Sequence, residues 1–337
     1  MKLLVRADGD GTMGAGHVLR CLAVAQAWMG RGGTVAWAAA ALSPGLADRL
    51  AAEGLAVHAL AAATDPALLR ALAEAERPEV LLVDGYHLGG DHLARLVGAT
   101  PRLAVIDDDG RLAGPAPDVL INPNVDAAER DYATLRPTAQ RLCGPDFALL
   151  RAEFTSPAPT PAVWPPRRVL VTLGGADARG LGPTVATAAA ARWPAAEVRL
   201  LQGPAAPPPP PLAAGITALP PTDRMAEELA RADLVLAAAG GTTWEVCHLG
   251  RPALLLIAAD NQAGLAGWLA GRDLALVVDA RRGDWHTSLE EALADLDATP
   301  AVETARAAAR AQLIDGQGAG RVAEALMSRA ALHIGGK

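Results

Sequence analysis

Short apolar runs alternate with helical patterns along this chain, and the alternation is played twice. In the first half the runs are "KLLVRAD", "TVAWAA", "AVHAL", "EVLLVDG", "RLAVIDD" and "DVLINP". Residues 155–168, "TSPAPTPAVWPPRR", then break the rhythm with a proline-dense, aperiodic stretch that reads as a linker. "RVLVTLGGADARG" restarts the same grammar, followed by "EVRLLQG", "GITALP", "DLVLAAAGG", "PALLLIAAD" and "LALVVDA". Strands that are apolar throughout belong to parallel sheets covered by helices on both faces. The expectation is an α/β chain of two Rossmann-like domains with parallel sheets and an interdomain cleft. The boundaries read as 1–154, a linker at 155–168, a second domain at 169–313, and a C-terminal helix and tail at 314–337. At 337 residues the chain also exceeds the roughly 250–300 at which single cores stop growing. The last two helical patterns, about 301–313 and 319–329, have the reach to return to the first domain. "PAAPPPPP", residues 204–211, follows a strand and reads as an exposed loop of polyproline character.

Composition narrows the class of function. Net charge is −7, which disfavours a broad nucleic-acid surface. No uninterrupted apolar run approaches the ~18 residues that span a bilayer, and Met1-Lys2 leads directly into a strand without a secretory h-region. Cys21, Cys143 and Cys247 are far apart and form neither a disulfide framework nor a CxxC zinc site. The reading is a cytoplasmic, soluble monomer without cofactor or metal, whose partner is a small molecule.

In open parallel sheets ligands bind beyond the carboxyl ends of the strands, and every motif of note lies at such an end. "GTMGAGHVLRC", residues 11–21, places Gly14 and Gly16 before His17 at a strand–loop–helix junction. The glycines permit close backbone approach, and the helix N-terminus disfavours imidazolium, leaving a neutral ring able to accept a proton. A capping or core histidine in a tight turn is the plain alternative. Arg6 and Arg20 flank this loop and suit an anionic ligand or surface ion pairs equally. "AAAGGTTWE", residues 237–245, offers Gly240, Gly241, Thr242 and Thr243 as donors to a diphosphate, and Glu245 to a ribose diol. An ordinary glycine turn with a threonine cap looks the same. Gly174 and Gly175 in "LGGADARG" repeat the strand–Gly–Gly form. Asp260, Asn261 and Gln262 crowd a strand end and suit sugar hydroxyls, or simply cap the next helix. "VDGYHLGGDH", residues 83–92, adds Asp84, Tyr86, His87 and His92. Asp107, Asp108 and Asp109, like Asp8 and Asp10, hint at a metal cluster, but no completing ligand spacing accompanies them.

Taken together, "RADGDGTMGAGHVLRCLAVA", "VDGYHL", "IDDD", "CGPDFALLRAEF", "VTLGGAD", "AAAGGTTWE" and "ADNQ" resemble, in order and spacing, one family. It is the UDP-2,4-diacetamido-2,4,6-trideoxy-β-L-altropyranose hydrolases of pseudaminic (nonulosonic) acid biosynthesis, relatives of the glycosyltransferase that makes lipid II. The resemblance covers about residues 3–270. It implies a GT-B fold and metal-independent, inverting hydrolysis of a UDP-linked sugar. UDP would lie on the second domain, with uracil near the 222–225 turn that holds Met225, ribose at Glu245 and the diphosphate at Gly240–Thr243. His17 matches the family's catalytic histidine, and Tyr86 and Asn261 match positions holding sugar and attacking water. Two alternatives stay open: a glycosyltransferase of the same fold using a UDP-amino sugar, and a non-catalytic nucleotide-sugar-binding protein of a polysaccharide cluster.

Overall fold

A computed structural model describes residues 1–108, 112, 117–132, 135–155 and 159–328. The first half alternates β1 (Lys2–Ala7), α1 (Gly16–Met29), β2 (Thr34–Ala39), α2 (Pro44–Ala52), β3 (Ala56–Ala59), α3 (Pro66–Glu76), β4 (Val80–Asp84), α4 (Gly90–Leu96), β5 (Arg102–Ile106), β6 (Val119–Asn122) and β7 (Gln140–Cys143). These strands form one parallel seven-stranded sheet in the order β3-β2-β1-β4-β5-β6-β7. The second half contains β8 (Arg168–Thr172), α5 (Gly182–Arg192), β9 (Glu197–Leu201), β10 (Ile216–Leu219), α6 (Met225–Arg231), β11 (Leu234–Ala238), α7 (Thr242–His248), β12 (Ala253–Ile257), α8 (Ala263–Gly271) and β13 (Leu276–Asp279). They build a parallel six-stranded sheet, β10-β9-β8-β11-β12-β13. Three helices follow, α9 (Trp285–Ala298), α10 (Pro300–Ala311) and α11 (Gly318–Met327).

Alternate strand residues fill opposite faces of each sheet, as a two-residue period requires. In the first sheet Leu3, Val5, Leu82 and Ile121 pack against α1 and α2, while Leu4, Leu81, Val83 and Val105 pack against α3 and α4. In the second, Val169, Val171 and Leu254 meet α5 and α9, and Leu170, Val235 and Leu255 meet α6, α7 and α8. This two-sided burial explains why the strands read as unbroken apolar runs. The exception is β7. "QRLC" carries no apolar run, and the sequence gives no strand there; it forms because it pairs along the free edge of β6.

Each sheet reverses its strand order once, between β1 and β4 in the first and between β8 and β11 in the second. Such a reversal splays the following loops apart and opens a crevice at the strands' carboxyl ends. The two crevices face one another. Gly175, after β8, lies so close to the loop before α1 that a Cβ there would sit 2.2 Å from the Ala15 Cβ. Ser43 Oγ donates to the Pro204 carbonyl at 3.0 Å. The start of the proline-rich loop is therefore an interdomain contact rather than a free surface loop.

The chain also crosses back. Ala148, Leu150 and Phe154 already belong to the second core, whereas Ala319, Val322 and Leu326 of α11 are buried against α1 in the first. Burying Val322 and Leu326 supplies roughly 1.5–3 kcal/mol each, enough to pin α11 there. Of the linker, residues 159–167 run along the second domain, where the Thr160 N–H donates to the Ala230 carbonyl and Trp164 Nε1 to Asp297. No helix among the described residues is long and apolar enough to cross a membrane.

Candidate active site

The first crevice holds a chain of ionisable side chains drawn from two strand ends and one helix. Asp84 closes β4, and its side chain is fully buried beneath the first turn of α1. His17 Nδ1 lies 2.8 Å from Asp84 Oδ1. A carboxylate only accepts, so in a neutral ring this contact places the proton on Nδ1 and leaves the Nε2 lone pair free; Arg20 Nη2 also approaches Nδ1, at 3.2 Å. Arg20, one helical turn further along α1, donates through Nε to Asp84 Oδ2 at 2.5 Å and through Nη2 to Oδ1 at 2.7 Å. Its Nη1 reaches Asp108 Oδ2, beyond β5, at 2.5 Å. Tyr86 stands edge-on to His17, ring centroids 4.6 Å apart, and its hydroxyl donates to Asp108 Oδ2 at 3.2 Å.

Burial alone would raise the Asp84 carboxyl, but the Arg20 guanidinium and His17 hold it well below the usual range. Asp108 is lowered too, burial being outweighed by Arg20. Tyr86 is 39% exposed, yet desolvation where it leans into the crevice and the Asp108 charge beside it push its phenol up to about 12. Removing either carboxylate's charge therefore leaves a half-buried guanidinium short of its partner, which is costlier than loss of an exposed ion pair.

One hydrogen bond carries this chain across the crevice. Asn261 Nδ2, in the turn after β12, donates to the Tyr86 hydroxyl at 3.2 Å. Next to it, Gln262 Oε1 accepts from the Ala258 and Ala259 amides, and Gly240 lies near the Gln262 side chain. The Gly240–Thr243 corner thus adjoins the turn that touches Tyr86. Thr243 is fully buried, and its Oγ1 has no partner among the described residues. Beside this bridge lies a cavity of about 190 Å³ lined by Tyr86, Asp108, Asn124, Arg130, Asn261 and Leu265, among others.

Several residues expected at a ligand stand elsewhere. Arg6 is the clearest correction: it is fully buried and ion-paired with Asp8 at 2.6 Å. It alternates with Val5 along β1, so it points to the face opposite His17. His87 and His92 turn the same way, His87 to Asp8 at 3.0 Å and His92 to the Thr64 carbonyl at 3.1 Å. Arg20 takes the ion-pair alternative, with a carboxylate on each side. Glu245 is buried and paired with Arg151 at 3.0 Å, its carboxyl raised by burial against that pairing. Asp260 points into solvent toward Arg281 at 2.6 Å, and the Met225 side chain belongs to the second core. Gly14 adopts φ +78° and Gly174 φ +84°, conformations that favour glycine; Gly14 and Gly16 shape the turn that delivers His17. Asp107 accepts from the Leu112 amide, while Asp109 lies outside the described residues. Among those residues no group of three His, Cys, Asp or Glu side chains gathers as metal ligands.

Asn124 and Arg130 were not anticipated from sequence. They follow β6 in an irregular loop, and both donate to the Asp108 carbonyl, at 2.5 and 3.1 Å.

Known proteins with this architecture can now be set beside the chain. A solved MurG of Acinetobacter baumannii superposes with TM-score 0.63 over 96% of this chain and 99% of its own, at 15% identity. The spinosyn rhamnosyltransferase SpnG, solved with thymidine diphosphate, gives TM-score 0.66 over 97% and 100%, at 20% identity. The chain has the GT-B fold. No protein-family model matches it. In sequence it is 28% identical over 155 residues to the UDP-2,4-diacetamido-2,4,6-trideoxy-β-L-altropyranose hydrolase of Campylobacter jejuni, 46% of this chain and 53% of that protein. It is 36% identical over 123 residues to the UDP-N-acetylglucosamine–N-acetylmuramyl-(pentapeptide) pyrophosphoryl-undecaprenol N-acetylglucosamine transferase of Sorangium cellulosum, 35% of this chain and 30% of that one. The matches thus span about half and under a third of those relatives' lengths.

Proposed function

We propose that this GT-B protein hydrolyses a UDP-linked acylamino sugar, the UDP-2,4-diacetamido-trideoxy sugar of nonulosonic acid biosynthesis being the first candidate, by inverting, metal-independent attack of water. The observation that carries the reading is the His17–Asp84 pair standing beside Tyr86, which Asn261 of the other lobe bridges.

The chemistry follows from those positions. His17 Nε2 takes a proton from water as the water oxygen bonds to the anomeric carbon. The bond from that carbon to the UDP oxygen breaks on the opposite face, and UDP leaves with the electron pair. Asp84 holds the ring's orientation and stabilises the imidazolium that forms. The His17 proton then passes to UDP or solvent. Gly240, Gly241, Thr242 and Thr243 would meet the diphosphate with N–H and hydroxyl donors, which stabilise charge as it develops. A buried hydroxyl such as Thr243 Oγ1 costs roughly 1–3 kcal/mol while unpartnered, and a ligand oxygen or water reaching the corner would relieve that.

A glycosyltransferase is the second reading, favoured by the names of the solved structures sharing this fold. Both readings use the same His17–Asp84 base, and they differ in whether water or an acceptor hydroxyl meets the anomeric carbon. The test is a panel of UDP-linked amino sugars incubated without acceptor. Release of UDP with free sugar supports hydrolysis; release only when an acceptor alcohol is added supports transfer.

A further inference from the structure

Asp108 belongs to the acidic run after β5 and stands outside the proposed water-activating step. Its surroundings are nevertheless unusually specific. Arg20 grips the carboxylate, while Asn124 and Arg130 grip the same residue's backbone carbonyl. The carboxylate is thereby fixed from two sides and borders the interlobe cavity.

We propose that Asp108 is a positioning residue whose carboxylate sets the direction of the hydrogen bonds bridging the two lobes. The argument is one of donors and acceptors. An ionised Asp108 can only accept, so the single Tyr86 hydroxyl proton points to it. The Tyr86 oxygen must then accept from Asn261, which presents Nδ2. With Nδ2 committed, the Asn261 Oδ1 is left as the acceptor end of the amide, at a residue that lines the cavity. An acceptor there suits a water or sugar hydroxyl and would hold the attacking water's second proton. Arg20 joins this bridge to the His17–Asp84 pair, so one set of charges orders both halves of the site. The inference rests on the hydrolase reading for its catalytic consequence, but its structural core does not.

Asp108→Asn keeps the shape and removes the obligatory acceptor. In the double-mutant cycle with Tyr86→Phe, each single variant is expected to lose ~10-fold or more in kcat with KM and UDP affinity within ~3-fold. The double variant is expected to stay within ~2-fold of the slower single one, because both act through one bridge. Losses that multiply would overturn the proposal. A second arm needs no turnover. The chain has two tyrosines, so 3-fluorotyrosine labelling gives two fluorine resonances, and the one missing in Tyr86→Phe reports Tyr86. Its titration midpoint should fall by about one pH unit in Asp108→Asn, since a neighbouring negative charge opposes phenolate formation. An unchanged midpoint would contradict the proposal whatever the activity. If the unmodified protein releases no UDP from any substrate while this midpoint moves, the hydrolase reading fails and the positioning role of Asp108 stands.

Discussion

The two faces of the crevice are built from opposite materials. On the first lobe, His17, Asp84, Arg20 and Asp108 form a dense ionised chain with contacts as short as 2.5 Å. On the second, the corner after β11 offers glycines, hydroxyls and backbone, and its one acid, Glu245, is tied to Arg151. A proton acceptor needs its charges fixed in place, whereas a diphosphate needs donors able to approach closely. On the proposed reading the contrast assigns chemistry to one lobe and holding to the other, and the two already meet where Asn261 bonds Tyr86.

The sharpest way to break this division is His17→Ala. Turnover should fall by at least ~10²–10⁴-fold, while UDP affinity by calorimetry stays within a few fold. Equal losses in both would place the nucleotide on the first lobe. Next is Gly175→Ala. The added methyl would overlap Ala15, hold the lobes apart and lower kcat/KM by ~10–100-fold with UDP binding nearly intact. Full activity would show that this contact is dispensable. A smaller effect concerns stability. The depressed Asp84 carboxyl stabilises the fold above its unfolded value near ~4, and that contribution is lost as pH falls toward the folded one. The gap in urea midpoint between the natural protein and Asp84→Asn should therefore narrow below pH ~4, and a constant gap would contradict the ion-pair account. Last, excess EDTA should leave turnover unchanged, because the holding lobe supplies its own donors; a strict divalent-metal requirement would contradict that division.

Much of this was legible in the residues. Unbroken apolar strands announced two-sided sheets, and the glycine turns marked the strand ends where the crevice opens. His17, Tyr86 and Asn261 stand close together in the crevice, a grouping that the resemblance implied and that no spacing along the chain announces. What the sequence could not convey was direction. Arg6 and Val5 are neighbours in the chain but lie on opposite faces, so proximity to the glycine loop was a poor guide to Arg6. Likewise "DGYH" sends Asp84 and Tyr86 to His17 and His87 away to Asp8. The acidic run that holds Asp108 offered no completing ligand spacing, and nothing near it announced its partner, Arg20, which is 88 residues away along the chain. Asn124 and Arg130 lie in an aperiodic loop, where no spacing signals a shared target.

The central claim is that water attacks the sugar carbon and leaves the diphosphate intact. Hydrolysis of the UDP-sugar in ¹⁸O-labelled water, with the released UDP examined by phosphorus NMR, tests it most directly. The account predicts UDP free of the heavy isotope; ¹⁸O on its terminal phosphate would mean cleavage at phosphorus and would contradict it.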